Sequence, residues 1–327
     1  MTCSCAQPTY SRASLHSLIA VVLGLKTVVL DMPSSMAGTA NKQLMPQLIL
    51  GVQRDALEVK LECLEVLNDL LRRFAACLVE PESRGCLAAL FAELCSTRAA
   101  ARKRAIACIA SLSISLPDRM LEAELIAPMC EHMEGTGVRI ELRRTYIQML
   151  CAISRSSGYR LAKQLDTVIP LILRQCMPAS AAQDDPEMIE SCLQAFESFM
   201  QRCPKEAGTS QFPVAEAALT YLSYDPNYSV DEDDDDNDDM EQDCEDINDD
   251  DEDAGDYSDD DDVSWKVRRA AAKVLSSLIL SRPDRLPSLL PMLTPTLISR
   301  FKEREENVKM DIFGKSCTAA WMIGLTA

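Results

Sequence analysis

The chain has 327 residues, a length that exceeds one ordinary hydrophobic core and indicates two domains or one elongated array. It is acidic, with 51 aspartates and glutamates against 33 lysines and arginines and a formal net charge of −18. Aromatic residues make up only 5%, glycines number 11, and alternating β-branched runs are scarce. This composition argues against a β-sheet protein and indicates an all-helical one.

The first residues, 1–12, carry little pattern, and the sequence turns apolar from Leu15. An apolar run at 18–25 has eight residues before Lys26 interrupts it, which is too short to span a bilayer. It also lacks the basic region and the cleavage site of a secretory signal, so we expect a soluble protein. The next element is a helix predicted at 41–53, with Asn41 as its N-cap.

A nine-residue pattern then recurs along the chain. Complete copies begin at Val59, Ala101, Leu142, Met188 and Val267, and an incomplete sixth copy begins at Val308. The first, sixth, eighth and ninth positions are apolar in all five complete copies, which places them on one broad stripe of a helix. Successive copies begin 42, 41, 46, 79 and 41 residues apart.

A second helix is predicted between successive copies, at 86–95, 121–133, 165–176, 213–222 and 289–301. Two helices in each unit of this length are typical of HEAT and armadillo repeats. One pair cannot bury its apolar face alone, so neighbouring pairs are expected to stack into a curved, all-α solenoid. Four prolines in or near these second helices are expected to bend them: Pro128, Pro170, Pro291 and Pro295.

Residues 231–262 interrupt this array with 22 acidic side chains in 32 positions and no lysine or arginine. Like charges at this density repel, and almost nothing apolar is available for burial, so we expect a solvated, mobile loop. Removing these 32 residues from the spacing of 79 leaves 47, which is close to the other spacings. The acidic segment is therefore predicted to be an insertion within one repeat, with repeats at 23–230 before it and at 263–313 after it.

Three roles for the acidic segment stay open. The first is a spacer without a specific ligand. The second is a competitor that folds back over the array's own basic face. The third is a binding site for basic proteins or calcium. No 12-residue window has the EF-hand pattern, which argues against calcium. Ser258 precedes three aspartates and is a candidate site for an acidophilic kinase, but a phosphate adds only about 1.5–2 charges to a strongly negative segment.

Metal and catalytic motifs are missing from the sequence. The 14 cysteines form no C-x-x-C, and only His16 and His132 could add imidazole ligands, so neither a zinc site nor another cofactor is expected. No nucleophile elbow, phosphate-binding loop or zinc-protease motif occurs, so we do not expect an enzyme. Cysteines within apolar helical stretches are expected to act as small buried hydrophobes in a reducing compartment; they are Cys63, Cys77, Cys95, Cys108, Cys151, Cys176 and Cys192.

Basic residues recur at the start of the helix that carries the nine-residue pattern. They are Arg102, Lys103, Arg104, Arg143, Arg144, Lys266, Arg268 and Arg269. One interpretation is a basic ladder on the concave face of the solenoid that binds an acidic partner. The other is that these cations pair with acidic side chains of neighbouring repeats, at about 0–1 kcal/mol for each pair. The second interpretation is favoured, because such surface pairs are common.

Several strings in the sequence are specific enough to indicate a family. They include YDPNY at 224–228, SWKVRRAAAK at 264–273, QAFESF at 194–199, RCPKE at 202–206 and the stretch 298–309, with shorter strings at 24–28 and 143–148. Together they make the chain resemble the cullin-associated, neddylation-dissociated (CAND) family, also called TBP-interacting proteins, over roughly 23–313. The ends, 1–22 and 314–327, do not match, so the chain is interpreted as a fragment or truncated product.

The resemblance implies a long HEAT solenoid that wraps an unmodified cullin–RING scaffold, covers the cullin's neddylation site and helps to exchange substrate receptors of the ubiquitin ligase. The matching part corresponds to the amino-terminal arch, which embraces the cullin and its RING subunit. We therefore predict a non-catalytic, monomeric, cullin-binding protein of the cytoplasm and nucleus, with no nucleic-acid or membrane partner. The alternative is an importin-like HEAT-repeat transport receptor that binds basic cargo or a small GTPase.

Overall fold

The computed structural model describes residues 12–135, 137–177, 185–224, 263–303, 305–312 and 314; the acidic segment and Ser258 lie outside the described residues. All regular structure in the described part is helical. The α-helices are α1 Arg12–Asp31, α2 Ala37–Val52, α3 Leu57–Phe74, α4 Glu80–Leu94, α5 Ala99–Ser113, α6 Asp118–Met120, α7 Ala127–Glu134, α8 Ile140–Leu161, α9 Leu165–Cys176, α10 Pro186–Arg202, α11 Gln211–Leu222, α12 Ser264–Ser281 and α13 Leu286–Ser299. Residues 306–312 form a further helical segment.

The helices form two layers. The B layer contains α1, α3, α5, α8, α10 and α12, and each of these helices packs against the next member of the layer. The A layer contains α2, α4, α7, α9, α11 and α13, and its members from α2 to α11 pack against the B-layer helix that follows each of them. The stacked helical hairpins predicted from the sequence are confirmed, and the nine-residue pattern lies in the B layer.

The array continues across the acidic segment. Helix α11 ends at Leu222 and α12 begins at Ser264, yet the two helices pack against each other as a hairpin. Helix α12 also packs against α10, as consecutive B-layer helices do elsewhere in the array. The described residues on either side of the acidic segment therefore belong to one hairpin.

The core is a continuous apolar cluster between the layers, from Val22 in α1 to Ile312. Apart from Ala101, the apolar positions of the complete copies belong to this cluster or pack against it, and only Leu142 is partly rather than fully buried. Phe196 and Phe199 of α10 are among the largest fully buried side chains. Burial on this scale provides the main stabilisation that each hairpin lacks alone.

Helices α8 and α10 lie close together at Gly158. A Cβ atom at this position would lie 2.5 Å from the Cβ of Arg202, so no larger residue fits without movement. The Cys203 thiol donates to the Gly158 carbonyl at 2.9 Å. The adjacent Ser157 has non-helical dihedral angles of φ −147 and ψ 45, which mark a kink within α8.

The prediction of Asn41 as an N-cap is wrong. Helix α2 begins earlier, at Ala37, after a 3-10 turn at Ser34–Met36, and Asn41 lies inside the helix in a buried position. Its Nδ2 donates to the carbonyl of Phe74 at the end of α3, at 3.1 Å. The amide side chain is therefore used by a tertiary contact, which outweighs the local preference of asparagine for a helix start.

The expectation of buried cysteines is wrong at two positions. Cys63, Cys108, Cys151, Cys176 and Cys192 are buried, but Cys77 and Cys95 are exposed. These two thiols lie at helix ends, in the 3-10 turn after α3 and at the C-cap of α4, where the chain leaves the core.

The predicted prolines have different surroundings. Pro170 lies within α9, and both Pro291 and Pro295 lie within α13. Pro128 follows a π-helical stretch, Leu121–Ile126, that connects α6 to α7. A proline has no N–H to donate and crowds the carbonyl four residues earlier. Pro128 therefore accounts for the change from π-helical to α-helical pitch just before it. The expected bending at these prolines stays a prediction.

Candidate functional site

Neighbouring B-layer helices are connected by ion pairs one repeat apart. Arg104 of α5 reaches back to α3, where its Nη1 lies 3.3 Å from an Oε2 of Glu65 and 3.7 Å from Glu62. Arg144 of α8 reaches forward to Glu187 of α10. Each pair joins residues of adjacent repeats, as in the second interpretation of the basic pattern.

Arg269 repeats this arrangement at the far end of the array. Its Nε lies 3.3 Å from Oδ2 of Asp311, and its side chain is 40% exposed. An exposed pair of this kind contributes at most about 1 kcal/mol to stability. Arg104, Arg144 and Arg269 therefore carry charges that are shared with neighbouring repeats but still reach the surface.

Arg268 is different, because its side chain is only 6% exposed. Its Nη1 donates to the Tyr224 carbonyl at 3.1 Å and to the Ser264 hydroxyl at 2.7 Å, and its Nη2 donates to Oε1 of Glu303 at 3.1 Å. Tyr224 and Ser264 stand before and after the acidic segment in the chain. Arg268 therefore holds the two ends of the interrupted hairpin together from a buried position.

The carboxylate of Glu303 is held in its charged form. Burial raises the pKa of Glu303, but a hydrogen bond from Arg300, a backbone N–H of Glu305 and the charge of Arg268 outweigh it, so the pKa is lowered overall. A buried pair with both charges satisfied in this way is strongly sensitive to removal of one partner. Sequence reasoning missed Glu303, since no pattern connects it to the basic residues of α12.

Two further predicted residues bind loop carbonyls. Arg102 donates through Nη1 to the carbonyl of Ser96 at 2.8 Å. Arg143 donates through Nη2 to the carbonyl of Gly135 at 2.9 Å, and its Nη1 lies 3.4 Å from Oε1 of Gln175. Both arginines thus fix the loop that precedes their own helix, which is a structural role.

The remaining predicted cations, Lys103 and Lys266, are exposed. Within the part of the chain that the structure describes, neither forms an ion pair. Lys266 lies beside Trp265, with its Nζ 5.8 Å from the ring centroid, a distance at which a cation–π interaction is still favourable. The assignment of the eight basic residues to partner binding stays a prediction.

Lys266 lines a surface groove between α8, α10 and α12. This groove has a volume of about 360 Å³ and is called here the basic groove. Its lining residues are Arg155, Glu190, Gln194, Glu197, Trp265, Lys266, Arg269, Ala270 and Lys273. Four cations thus face two carboxylates. Among the described residues, Arg155, Lys266 and Lys273 have no ion-pair partner within 4.0 Å, so three of the four positive charges are available to an anionic ligand.

The two acids of the basic groove are engaged within their own helix. Oε1 of Glu190 accepts a hydrogen bond from Gln194 at 2.9 Å, and Oε1 of Glu197 accepts one from Gln201 at 3.1 Å. Neither reaches across to the cations of α12 within ion-pair distance. The α12 side of the groove therefore keeps its positive charge.

Sequence reasoning missed Arg155 and Lys273. Lys273 lies seven residues after Lys266, on the same face of α12, so helical spacing could have indicated it. Arg155 lies in α8, beyond the nine-residue pattern, and no sequence signal connects it to α12. Only the packing of three successive B-layer helices brings the two together.

A second cavity of about 210 Å³ lies near Arg160 and Tyr159. The Arg160 guanidinium is used by the end of α5, since it donates to the carbonyl of Ile114 at 2.9 Å and to Oδ1 of Asp118 at 2.8 Å. The hydrogen bond from Arg160 lowers the pKa of Asp118. These contacts satisfy the carbonyls at a helix C-terminus, so this cavity has a structural explanation.

The described residues contain neither a metal site nor a single helix that could span a membrane. No group of three histidines, cysteines, aspartates or glutamates in this part of the chain could hold a metal ion. No single described helix is long and apolar enough to cross a membrane; one pair of helices reaches that length and hydropathy together, but with a bend of 117° between them.

Comparison of sequences identifies relatives over most of the chain. No protein-family profile matches it. A cullin-associated NEDD8-dissociated protein 1 of Arabidopsis thaliana is 41% identical over 294 residues, which cover 89% of this chain and 23% of the plant protein. A cullin-associated NEDD8-dissociated protein 2 of Mus musculus is 40% identical over 318 residues, which cover 95% of this chain and 25% of the mouse protein. The chain thus spans about a quarter of the length of these curated relatives.

Comparison of structures identifies the same kind of fold in proteins of much lower identity. Kap121p bound to RanGTP matches with a TM-score of 0.66 and 10% identity, over 94% of this chain and 28% of Kap121p. Importin beta matches with a TM-score of 0.57 and 14% identity, over 95% of this chain and 37% of importin beta. At this identity the likeness shows the fold alone, and it confirms a HEAT/armadillo-type solenoid. None of the four proteins described above is named as an enzyme.

Proposed function

We propose that this chain, which is related in sequence to the cullin-associated NEDD8-dissociated proteins over about nine-tenths of its length, is a non-catalytic, cullin-binding part of a HEAT solenoid. The observation that carries the proposal is identity of about 40% that extends along the whole array rather than along a single repeat. Identity of this extent supports retention of a binding surface as well as a fold.

The geometry of the B layer fits a binding role. Its helices stack side by side and present polar side chains one repeat apart, so a long partner would touch many repeats at once. Arg155, Lys266 and Lys273 add positive charge, and among the described residues none of the three forms an ion pair. A partner with an acidic surface would be attracted to this region and oriented by it.

In this proposal the partner is a cullin together with its RING subunit, and the chain helps to regulate the assembly and substrate-receptor exchange of the ubiquitin ligase. The free chain is a monomer and acts in the cytoplasm and nucleus. Nucleic acid is disfavoured as a partner by the net charge of −18, because a phosphate backbone would be repelled. A membrane partner is not part of the proposal.

The importin-like alternative has weaker support. Its structural neighbours share only 10–14% identity with the chain, a level at which the solenoid fold is common to proteins with unrelated partners. The relatives at about 40% identity are named cullin-associated NEDD8-dissociated proteins and not transport receptors.

A retention assay tests the proposal. The immobilised chain is offered equal amounts of a cullin–RING complex with and without covalently attached NEDD8. We expect at least about tenfold more of the unmodified complex to be retained, which corresponds to about 1.4 kcal/mol of discrimination. Equal retention of the two forms, or retention of neither, would defeat the proposal. A chain that carries Phe196→Ala, which is expected to disrupt the core, controls for binding that does not need the fold.

A further inference from the structure

The basic groove is lined by three rows of charged side chains. Helix α10 lies in the middle, because it packs against both α8 and α12. It contributes Glu190 and Glu197, which are seven residues apart on one face of the helix. Helix α12 contributes Lys266 and Lys273 with the same spacing, and Arg155 of α8 lies on the other side. The groove therefore has an acidic floor between two basic walls.

This junction differs from other junctions of the B layer, where cations and carboxylates pair directly. Lys26 of α1 pairs with Glu65 of α3, and Arg104 of α5 reaches the same glutamate. Arg144 of α8 pairs with Glu187 of α10. Among the described residues no ion pair joins α10 to α12, although the charged rows of the two helices have equal spacing. The cations of this junction are thus left to a ligand.

The surroundings of these cations favour an anionic ligand. Lys273 is half-buried, yet its ammonium group forms no ion pair among the described residues. A charge that loses hydration without gaining a partner is unfavourable, and a charge-assisted hydrogen bond from a ligand carboxylate would compensate for it. Trp265 is also half-buried at the start of the same wall and offers an apolar surface beside Lys266. A ligand can therefore gain both charge pairing and apolar contact.

We propose that the basic groove binds an acidic α-helical segment of a partner protein, with carboxylates seven residues apart against Lys266 and Lys273. Every α-helix rises about 1.5 Å per residue, so two such carboxylates and the two lysines are both about 10 Å apart along their helices. A volume of about 360 Å³ accommodates a few side chains, as one face of a helix presents them. The partner need not be a cullin, so this site is independent of the proposed function.

The spacing of the charges argues against other anions. A single phosphate group is too small to reach two ammonium groups about 10 Å apart along α12. A nucleic-acid duplex carries a charge for about every 1.7 Å of its axis, so its phosphates would also lie against Glu190 and Glu197. Isolated carboxylates on a helix reach the basic walls without crowding the acidic floor. The observations therefore favour a protein segment.

The net charge of the chain does not prevent an acidic segment from approaching. Of the 51 acidic side chains, 22 lie at 231–262, so the remaining 29 are outnumbered by the 33 lysines and arginines. Repulsion from charges beyond about 10 Å is largely screened at 0.1 M salt, whereas contacts within the groove are screened less. Binding is therefore expected near physiological ionic strength.

The experiment uses the full chain and two fluorescein-labelled, alanine-rich peptides of about 20 residues, a length at which an isolated helix forms. In the matched peptide three glutamates recur every seven residues along one face. In the scrambled peptide the same three glutamates are distributed around the helix. We expect the matched peptide to bind about tenfold more tightly than the scrambled one at about 0.1 M salt, measured by fluorescence anisotropy. At about 1 M salt the difference should disappear.

Three double variants locate the contact. Lys266→Glu with Lys273→Glu should abolish binding of the matched peptide, whereas Lys266→Arg with Lys273→Arg retains both charges and should preserve it. Lys42→Glu with Lys205→Glu changes the net charge as much as the first variant does, at two exposed sites outside the groove, and should leave binding unchanged. Circular dichroism and thermal melting verify that all three variants are folded.

Each other result overturns the proposal. Equal binding of the two peptides would mean that only their net charge matters, and binding of neither would mean that the groove takes no acidic helix. Displacement of the matched peptide by an equimolar DNA duplex would indicate a general polyanion site. Equal losses in the groove variant and the Lys42 and Lys205 variant would remove the assignment to the groove. If the groove variant does not fold, Lys266→Gln with Lys273→Gln replaces it, and retained binding contradicts the assignment.

Discussion

Two junctions of the B layer use basic residues in opposite ways. Between α3 and α5, Arg104 lies within ion-pair distance of Glu62 and Glu65, so its charge is balanced by the neighbouring repeat. Between α10 and α12, the facing carboxylates are hydrogen-bonded within α10, and Lys266 and Lys273 stay without an ion pair among the described residues. Similar basic residues thus stabilise one junction and leave the other open to a ligand.

The difference shows that the partner of a cation, rather than the cation itself, decides its role. Arg268 and Lys266 are two residues apart, yet one is buried against Glu303 and the other is exposed beside Trp265. Successive positions of a helix point about 100° apart, so such close neighbours face the core and the solvent. The following predictions test this contrast.

The largest expected effect on stability is at Arg268, the buried residue of these two neighbours. Arg268→Ala removes one of the two arginines that pair with the buried Glu303 carboxylate and releases the Tyr224 carbonyl, so we expect a loss of about 3 kcal/mol in the free energy of unfolding. Urea denaturation monitored by circular dichroism measures it. Arg269→Ala, at the neighbouring half-exposed pair, is the matched control and should cost less than about 1 kcal/mol. Equal costs at the two positions would contradict the contrast.

A second prediction concerns the close approach of α8 and α10. Gly158→Ala places a Cβ atom 2.5 Å from the Cβ of Arg202, and we expect a loss of about 1–3 kcal/mol from overpacking. Gly24→Ala in α1 meets no atom within 4 Å and is the control, with a gain of about 0.5–1 kcal/mol from improved helix propensity. Thermal melting of both variants measures the difference, and an unchanged midpoint for Gly158→Ala would argue against the packing described here.

The low pKa of Glu303 predicts acid sensitivity. An unfolded glutamate has a pKa of about 4.3, and the pKa in the folded chain is lower, so folding favours the ionised form. The stabilisation is complete above the unfolded pKa and is lost as the pH falls through the lower pKa of the folded state. Glu303→Gln should therefore reduce the slope of stability against pH below about pH 5, measured by urea denaturation at each pH. An unchanged slope would mean that groups other than Glu303 cause the acid sensitivity.

The smallest expected effect is on partner binding at α8. Arg143→Glu with Arg144→Glu should weaken cullin retention about two- to fivefold, and more at low salt than at high salt, if these residues contact the partner. Ion-pair loss with Glu187 lowers stability at the same time, so a melting curve accompanies the assay. Unchanged affinity would assign both arginines to the purely structural role that their observed contacts support.

Much of the fold could be predicted because it depends on local periodicity. The apolar positions that begin at Val59 and Val267 are buried as the helical stripe requires, and this stripe repeats in every hairpin. Asn41 was mispredicted because its amide bonds a distant carbonyl at Phe74, a contact that no local rule contains. Cys95 was mispredicted because a helix end leaves the core earlier than the apolar pattern suggests.

The candidate site was only partly predictable, because it depends on how successive repeats are aligned. The basic pattern identified Lys266 and Arg269 but could not separate them from the buried Arg268. Arg155 reaches the groove only because α8, α10 and α12 pack in one layer. Pairing across repeats is a tertiary property, and the pattern of one helix does not contain it.

The central claim is that one hairpin carries the acidic segment and closes without it, with Arg268 holding Tyr224 next to Ser264. Replacement of residues 231–262 by a short glycine–serine linker tests this most directly, with thermal unfolding followed by circular dichroism. We predict one cooperative transition whose midpoint stays within about 4 °C of the native chain, equivalent to less than about 1–2 kcal/mol. A broad transition without cooperativity would contradict the claim and show that the acidic segment is part of the folded structure.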